Sequence, residues 1–240
     1  MEESFRNKST NEEIRQRFDN DVDRFSNLET GQQSTIDAPI SLELISDAAK
    51  IVNSAATNLL DIGCGAGNYT LRMLAKLPGL NCTLIDLSKP MLDKACSRVQ
   101  EMTSGNLNAM QGDIRTINLP SAHYDVILAG AVLHHLRGDD DWRLVFEKIY
   151  HSLREGGSFW ISDLVTHSSE KVSALFQARY GAYLAGIGGT DYRDNVFSYI
   201  EKEDSPRPLT FQLDLLKEVG FRHVEVLHKN SCFAAFGGIK

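Results

Sequence analysis

Asn58-Leu59-Leu60-Asp61-Ile62-Gly63-Cys64-Gly65-Ala66-Gly67 is the stretch on which the fold turns. A short apolar run, Asn58 to Ile62, passes through three glycines in five residues and opens a helical pattern from Tyr69 to Leu77. Apolar run, glycine turn and amphipathic segment together predict a strand, a tight turn and a crossover helix. The alternation repeats downstream. A strand at 82–86 leads to a helix from Met91 to Met102, a weak strand around Asn108-Ala109-Met110 ends at Gly112-Asp113, and a strand from Tyr124 to Ala129 leads to a helix from Asp140 to Leu153. A strand at 158–162 follows Gly156-Gly157. Strands separated by helices need crossover connections, which predicts an α/β fold with a parallel sheet and helices on both faces.

Upstream, Thr10-Asn11-Glu12-Glu13 has the form of a capping box, and Ile14, Phe18, Val22 and Phe25 follow at helical spacing. One amphipathic helix is expected there. A polar loop from Ser26 to Asp37 and a helix from Ser41 to Ser54 come next. Downstream, residues 165–209 break the alternation into two or three helical pieces rich in aromatics, an insertion over the ligand edge of the sheet. A helix from Phe211 to Val219 ends at Gly220. Two strands, 224–228 and 231–236, close the chain as a hairpin turning at Lys229-Asn230.

The 240 residues are 42% hydrophobic and 24% charged, with a net charge of −7. That composition excludes general disorder and disfavours a phosphate backbone as ligand, so a nucleic-acid partner is not expected. The longest apolar run, Val126 to Leu133, is far below a membrane span, and no membrane partner is expected. Met1-Glu2-Glu3-Ser4 is acidic and polar where a signal peptide is basic and then apolar. Cys64, Cys82, Cys96 and Cys232 form no CxxC pair and fall in elements that read as core. Reduced thiols and a cytoplasmic location are expected; a homodimer is compatible with the sequence.

In open α/β sheets ligands bind beyond the strand carboxyl ends, where glycines let the backbone approach closely. A glycine loop alone also fits a dinucleotide, but those loops run G-x-G-x-x-G toward a pyrophosphate. Here the spacing is G-x-G-x-G, and Asp61 stands two residues before the first glycine, where a carboxylate repels phosphate and favours a cation. Asp86 ends the next strand roughly 20 residues beyond that glycine, the offset of an acid that accepts from ribose hydroxyls; it also suits a helix amino terminus. Gly112-Asp113-Ile114 places a third carboxylate at the same edge, able to accept from an adenine amino group. A cationic nucleoside without phosphate satisfies all three acids.

These segments resemble the class I S-adenosylmethionine-dependent methyltransferases. Leu59 to Gly67 looks like their first motif, Asp86 like their ribose-binding acid, Gly112-Asp113-Ile114 like their adenine-side motif, and Leu153-Arg154-Glu155-Gly156-Gly157-Ser158 like the turn before their fifth strand. The resemblance runs from about residue 40 to 240. It implies a three-layer Rossmann-like fold, a mostly parallel seven-stranded sheet ending in an antiparallel hairpin, in one domain: residues 38–164 hold the cofactor, and residues 1–37 with 165–209 form a helical lid. It implies S-adenosylmethionine as cofactor and S-adenosylhomocysteine as product, with Asp61, Gly63, Cys64, Gly65 and Gly67 around the methionine part. Leu87 would lie against adenine, beside Gly112, Asp113 and Ile114, with Ala129 near the methyl. The Phe18-Asp19 region, the insertion and the ending from Phe221 to Phe236 are most similar to carboxy-S-adenosylmethionine synthases, which supply tRNA wobble-uridine modification. That group has Ser where this chain has Gly65. A noncatalytic cofactor-binding subunit is a further alternative.

For transfer to a small-molecule acceptor, His134 and His135 are the candidate catalytic bases, since imidazole titrates near neutrality. A structural turn at Leu133 to Leu136 is the competing account. No metal is expected, because adjacent histidines in a turn chelate one ion poorly and no third ligand stands at metal spacing. Arg179, Tyr180, Tyr183 and Arg193 in the insertion are candidate substrate contacts, although Phe176, Tyr180 and Tyr183 also make a packing stripe. Asp163, closing the fifth strand, is a candidate for a substrate amine.

Overall fold

The computed structural model describes residue 5, residues 7–27 and residues 31–240. The acidic start Met1 to Ser4 and positions 28–30 of the polar loop lie outside the described residues. Seven strands, β1 (Asn58–Ile62), β2 (Asn81–Asp86), β3 (Leu107–Gln111), β4 (Tyr124–Gly130), β5 (Leu153–Leu164), β6 (His223–Asn230) and β7 (Phe233–Ile239), form one sheet in the order β3-β2-β1-β4-β5-β7-β6. The first five run parallel, β7 is antiparallel to β5, and β6 is antiparallel to β7. The chain reverses its winding between β1 and β4, the point at which such sheets open a crevice.

The flanking layers follow from which side chains each strand turns to each face. On one face α3 (Ala38–Val52), α4 (Asn68–Lys76) and α5 (Lys89–Gln100) bury Ile45, Ala49, Met73, Leu74, Leu92 and Val99 against Leu59, Leu84, Val126 and Trp160. On the other, α6 (Asp139–Ser152) and α8 (Leu209–Val219) bury Trp142, Phe146, Ile149, Leu215 and Leu216 against Leu60, Ile127 and Phe159. β1, covered on both faces, is buried at every residue.

Three local expectations are corrected. The amino-terminal helix is two, α1 (Asn11–Asp19) and α2 (Val22–Ser26). The capping box at Thr10 and Glu13 forms, but Asn20 ends the first helix, and the Asp19-Asn20-Asp21 run offers the backbone side-chain alternatives to a continuous helix. β5 begins at Leu153, because a register shift between Tyr124 and Val126 of its partner absorbs Gly156-Gly157 inside the strand. The hairpin turns at Ser231-Cys232, with Ser231 at φ 53°; Lys229 and Asn230 remain paired with Ala234 and Phe233.

The insertion is α7 (Glu170–Glu203), broken at Gly188 and Gly189. Gly189 sits at φ 81°, ψ −177°, a conformation essentially confined to glycine. The chain folds back there: the Tyr180 and Phe197 rings meet with centroids 5.7 Å apart, whereas 17 residues of straight helix would separate them by about 25 Å. Both arms then pack on Phe233 of the hairpin through Tyr180, Leu184 and Val196. Gly189→Ala, whose added carbon meets nothing within 4 Å but must hold the positive φ, is expected to cost about 1–3 kcal/mol in urea unfolding. Gly186→Ala, equally uncrowded and in helical backbone, is expected to raise stability by up to about 1 kcal/mol.

Candidate functional site

The carboxyl ends of β1 to β5 open into one cavity of about 240 Å³, roofed by α1, α2, residues 31–38 and α7. After β1, Gly63 is held at φ 64° with no room for a Cβ, which would stand 2.4 Å from the Val132 side chain. The turn after β4 therefore approaches the loop backbone directly. Gly65, at φ 51°, is the opposite case: a Cβ there meets nothing within 4 Å. Gly65 faces open cavity.

Three of the loop amides are already engaged. Cys64 N–H donates to the Ile85 carbonyl (2.9 Å), Gly65 N–H to Asp86 Oδ2 (2.8 Å) and Gly67 N–H to the Cys64 carbonyl (2.8 Å). Asp86 Oδ1 accepts from Ser88 N–H (2.8 Å), so one carboxylate ties the glycine loop to the start of α5 while lining the cavity. Burial pushes its pKa up to about 6 against those hydrogen bonds.

Several expected contacts are placed differently. Asp61 does not line the cavity: it is 1% exposed behind the loop and accepts from the Thr70 hydroxyl (2.6 Å). Burial pushes it up to about 7. Asp113 lines the cavity but is engaged by Asn11 Nδ2 (2.7 Å) and by Arg115 Nε (3.0 Å), which brings α1 onto this edge. Gly63, Cys64, Gly65, Leu87, Gly112 and Ile114 line the cavity. Gly67 is the residue before α4, and Ala129 is buried in β4, with Gly130 and Ala131 taking the cavity wall.

At the β4–β5 end, Asp163 accepts from Leu133 N–H (2.9 Å) and His134 N–H (3.2 Å), and its Oδ1 is paired with His134 Nδ1. It orients the histidine turn and is not free for a substrate amine. His134 Nε2 lies 3.7 Å from Asp204 Oδ1, and His135 Nδ1 lies 3.4 Å from the same oxygen. Burial alone lowers an imidazole, but Asp163 and Asp204 reverse this and raise His134 to about 9. Burial and then the His134 charge hold His135 well below the ordinary range. No third ligand stands at metal spacing in the sequence, but the fold brings the Asp204 carboxylate from the far end of α7 beside the two histidines.

Of the insertion residues, Tyr180 lines the cavity, with its hydroxyl donating to the Ser34 carbonyl (2.9 Å). Tyr183, which donates to the Gln33 carbonyl, and Arg179 border a separate surface hollow. Arg193 pairs with its neighbour Asp194 (2.8 Å). Arg17, Arg115, Tyr199 and Asp204 line the cavity without a sequence signal, since each belongs to a polar or packing stretch joined to the site only by the fold. Tyr69 could have been suspected from its place just after the glycine loop; its ring passes where a Cβ on Gly130 would be, at 2.5 Å.

Residues 59–157 match the methyltransferase domain family. The match runs from β1 into β5, less than half of the chain, and the chain is similar to S-adenosylmethionine-dependent methyltransferases. It is similar to a malonyl-[acyl-carrier protein] O-methyltransferase of Paenibacillus sp. (strain JDR-2), 28% identical over 127 residues that cover 52% of this chain and 45% of that protein. The chain thus spans less than half the length of that relative. A carboxy-S-adenosyl-L-methionine synthase of Nautilia profundicola is 24% identical over 211 residues, 83% of this chain and 84% of that protein. The DhpI–S-adenosylhomocysteine complex shares the methyltransferase fold with a TM-score of 0.63 at 14% identity, covering 95% of both chains. Human N-acetylserotonin methyltransferase in complex with S-adenosylmethionine superposes with a TM-score of 0.60 at 16% identity, covering 94% of this chain and 56% of that one. Among the described residues no helix is long and apolar enough to cross a membrane.

The buried acids give the fold a pH signature. An unfolded Asp61 is an ordinary carboxyl near 3.8, whereas in the fold it keeps its proton to about 7. Between those values the folded state binds the extra proton, so this contribution to stability is full below the lower value and falls as pH rises toward the upper one. Asp61→Asn cannot ionise. Urea unfolding is expected to show wild type losing stability relative to the variant by on the order of 2 kcal/mol between about pH 5 and pH 7.

Proposed function

We propose that the cavity binds S-adenosylmethionine with its ribose on Asp86, and that the chain transfers the sulfonium methyl to a small-molecule acceptor at the β4–β5 end. One observation carries the reading: the loop amides of Cys64, Gly65 and Gly67 already donate within the protein, one of them to Asp86. A loop with these three donors engaged and a carboxylate against its middle suits a phosphate-free cationic nucleoside better than a pyrophosphate. Asp61 contributes at one remove, as a buried acid close behind the loop.

The sulfonium is already activated, so the nucleophile's lone pair forms the new bond to carbon as the sulfur–carbon pair returns to sulfur. Alignment is then the main task, worth up to roughly 7–11 kcal/mol. The roof supports enclosure of both reactants and a small acceptor. Arg17 on α1 forms a 2.5 Å ion pair with Glu203 at the end of α7, and Asn11 reaches Asp113, so the amino-terminal strap is fastened at both ends of the cavity.

A carboxy-S-adenosylmethionine synthase-like activity is the second reading, favoured by the relative that aligns over 83% of this chain. Arg193, which lies roughly where that group uses an arginine for the extra carboxylate, does not support it, because its guanidinium is paired with Asp194 outside the cavity.

Asp86→Ala is expected to weaken S-adenosylmethionine binding about 10- to 100-fold by calorimetry, as the loss of a charge-assisted hydrogen-bond acceptor. Unchanged affinity would remove the ribose from Asp86. Mass spectrometry of a metabolite extract incubated with enzyme and cofactor separates the two readings. Methyl transfer yields S-adenosylhomocysteine and an acceptor heavier by one CH₂; the second activity yields a cofactor heavier by one CO₂.

A further inference from the structure

We propose that His134 Nε2, His135 Nδ1 and Asp204 Oδ1 bind a divalent first-row metal ion, of the zinc or iron(II) type, at the acceptor end of the cavity. The three donor atoms lie within 4.8 Å of one another. Ligand atoms around an ion bound at ~2.0–2.2 Å stand roughly 3.0–3.6 Å apart. The two distances to Asp204 Oδ1, 3.4 Å from His135 and 3.7 Å from His134, are already close to that edge length. Closing the set requires movement of about an ångström at the histidine tips.

The surroundings hold the ligands in this arrangement. Asp163 takes His134 Nδ1 and both amides of the turn, which fixes the ring with Nε2 forward, the carboxylate–histidine–metal geometry of built metal sites. Asp204 is 6% exposed, and its segment is pinned through the backbone: Ser205 N–H donates to the His134 carbonyl (2.6 Å), Lys8 Nζ to the Asp204 carbonyl (2.5 Å) and Arg137 to the Glu203 carbonyl (2.6 Å). These contacts leave the carboxylate turned to the histidines. The nearby Arg17 is neutralised by Glu203. His135 is poorly served by hydrogen bonds, with Nδ1 3.5 Å from the Glu203 carbonyl and Nε2 buried without a partner. At 3.5 Å the Nδ1 contact is too long to hold that nitrogen, which leaves it available to a ligand.

Two imidazoles and one carboxylate suit zinc and iron(II) better than magnesium or calcium, which prefer all-oxygen sites. Three protein ligands leave coordination positions open, and His134, His135 and Asp204 all line the cavity. An acceptor oxygen placed there would be oriented and, if a hydroxyl, would lose its proton more readily. Ion binding stands on the three ligands alone; its use on the acceptor rests on the methyltransferase reading.

The test is cobalt(II) titration of chelator-treated protein followed by its visible absorption, with zinc(II) calorimetry beside it. Wild type should take up one equivalent, with ligand-field bands and no sulfur charge-transfer band. His135→Gln and Asp204→Asn should each weaken binding 100-fold or more, while Asp163→Asn, acting through His134, should weaken it by about 10- to 100-fold. Circular dichroism confirms that each variant is folded, and the two ligand variants check each other. Wild type that binds neither ion, binding unchanged in both ligand variants, or ligation by sulfur would overturn the proposal. S-adenosylmethionine calorimetry on the same samples keeps the cases apart: cofactor binding without metal uptake defeats this inference and leaves the methyltransferase reading standing.

Discussion

A single carboxylate at the end of β2 organises the site. Asp86 receives the amide of Gly65 from one side and that of Ser88 from the other, so the glycine loop and the first turn of α5 are held to the same two oxygens. The arrangement is costly in isolation, since burial raises the pKa of Asp86 and, behind it, of Asp61. Both costs fall when a cation is brought to the rim, and neither is relieved by a phosphate. The same constraint explains the closeness of the β4 turn. With Gly63 pressed against Val132, the Asp86 side and the histidine side of the cavity are walls of one pocket.

The lid extends this logic through charge. The strap formed by α1 and α2 is tied at the β3 edge through Asn11 and Asp113, and at the β5 edge through Arg17 and Glu203. Lys8 and Arg137 pin the end of α7 between them. The segment from Glu203 to Ser205, polar in sequence, is buried because guanidinium, ammonium and imidazole groups converge on it from two different parts of the chain, the amino terminus and the turn after β4. Opening the strap would loosen Asp204 at the same time as it uncovers the cofactor side.

Much of this was legible in the residues. The apolar runs and glycine turns specify β1, β2, β4 and the central part of β5, because parallel strands buried on both faces are near-continuous apolar runs, whereas the edge strand β3 is half exposed and left only a weak signal. The acids after β1, β2 and β3 could be assigned to one edge by topology alone. What spacing did not reveal was orientation. Asp61 sits at the expected edge but turns to Thr70 beneath the loop, a choice made by the backbone path through Gly63. Contacts that close over long sequence separations were equally hidden. Asp204 meets His134 only because Gly189 folds α7 back on itself, and Glu203-Asp204-Ser205 carries the composition of an exposed turn. The same fold-back directs Arg193 away from the cavity while Tyr180 stays in it.

A crystal structure of the chain with S-adenosylmethionine is the most direct measure of the central claim. It should show the ribose hydroxyls within hydrogen-bond distance of Asp86, the nucleoside over the glycine loop and the methyl directed toward His134 and His135. A nicotinamide dinucleotide seated with its pyrophosphate on the loop amides, or adenosine bound away from Asp86, would contradict it.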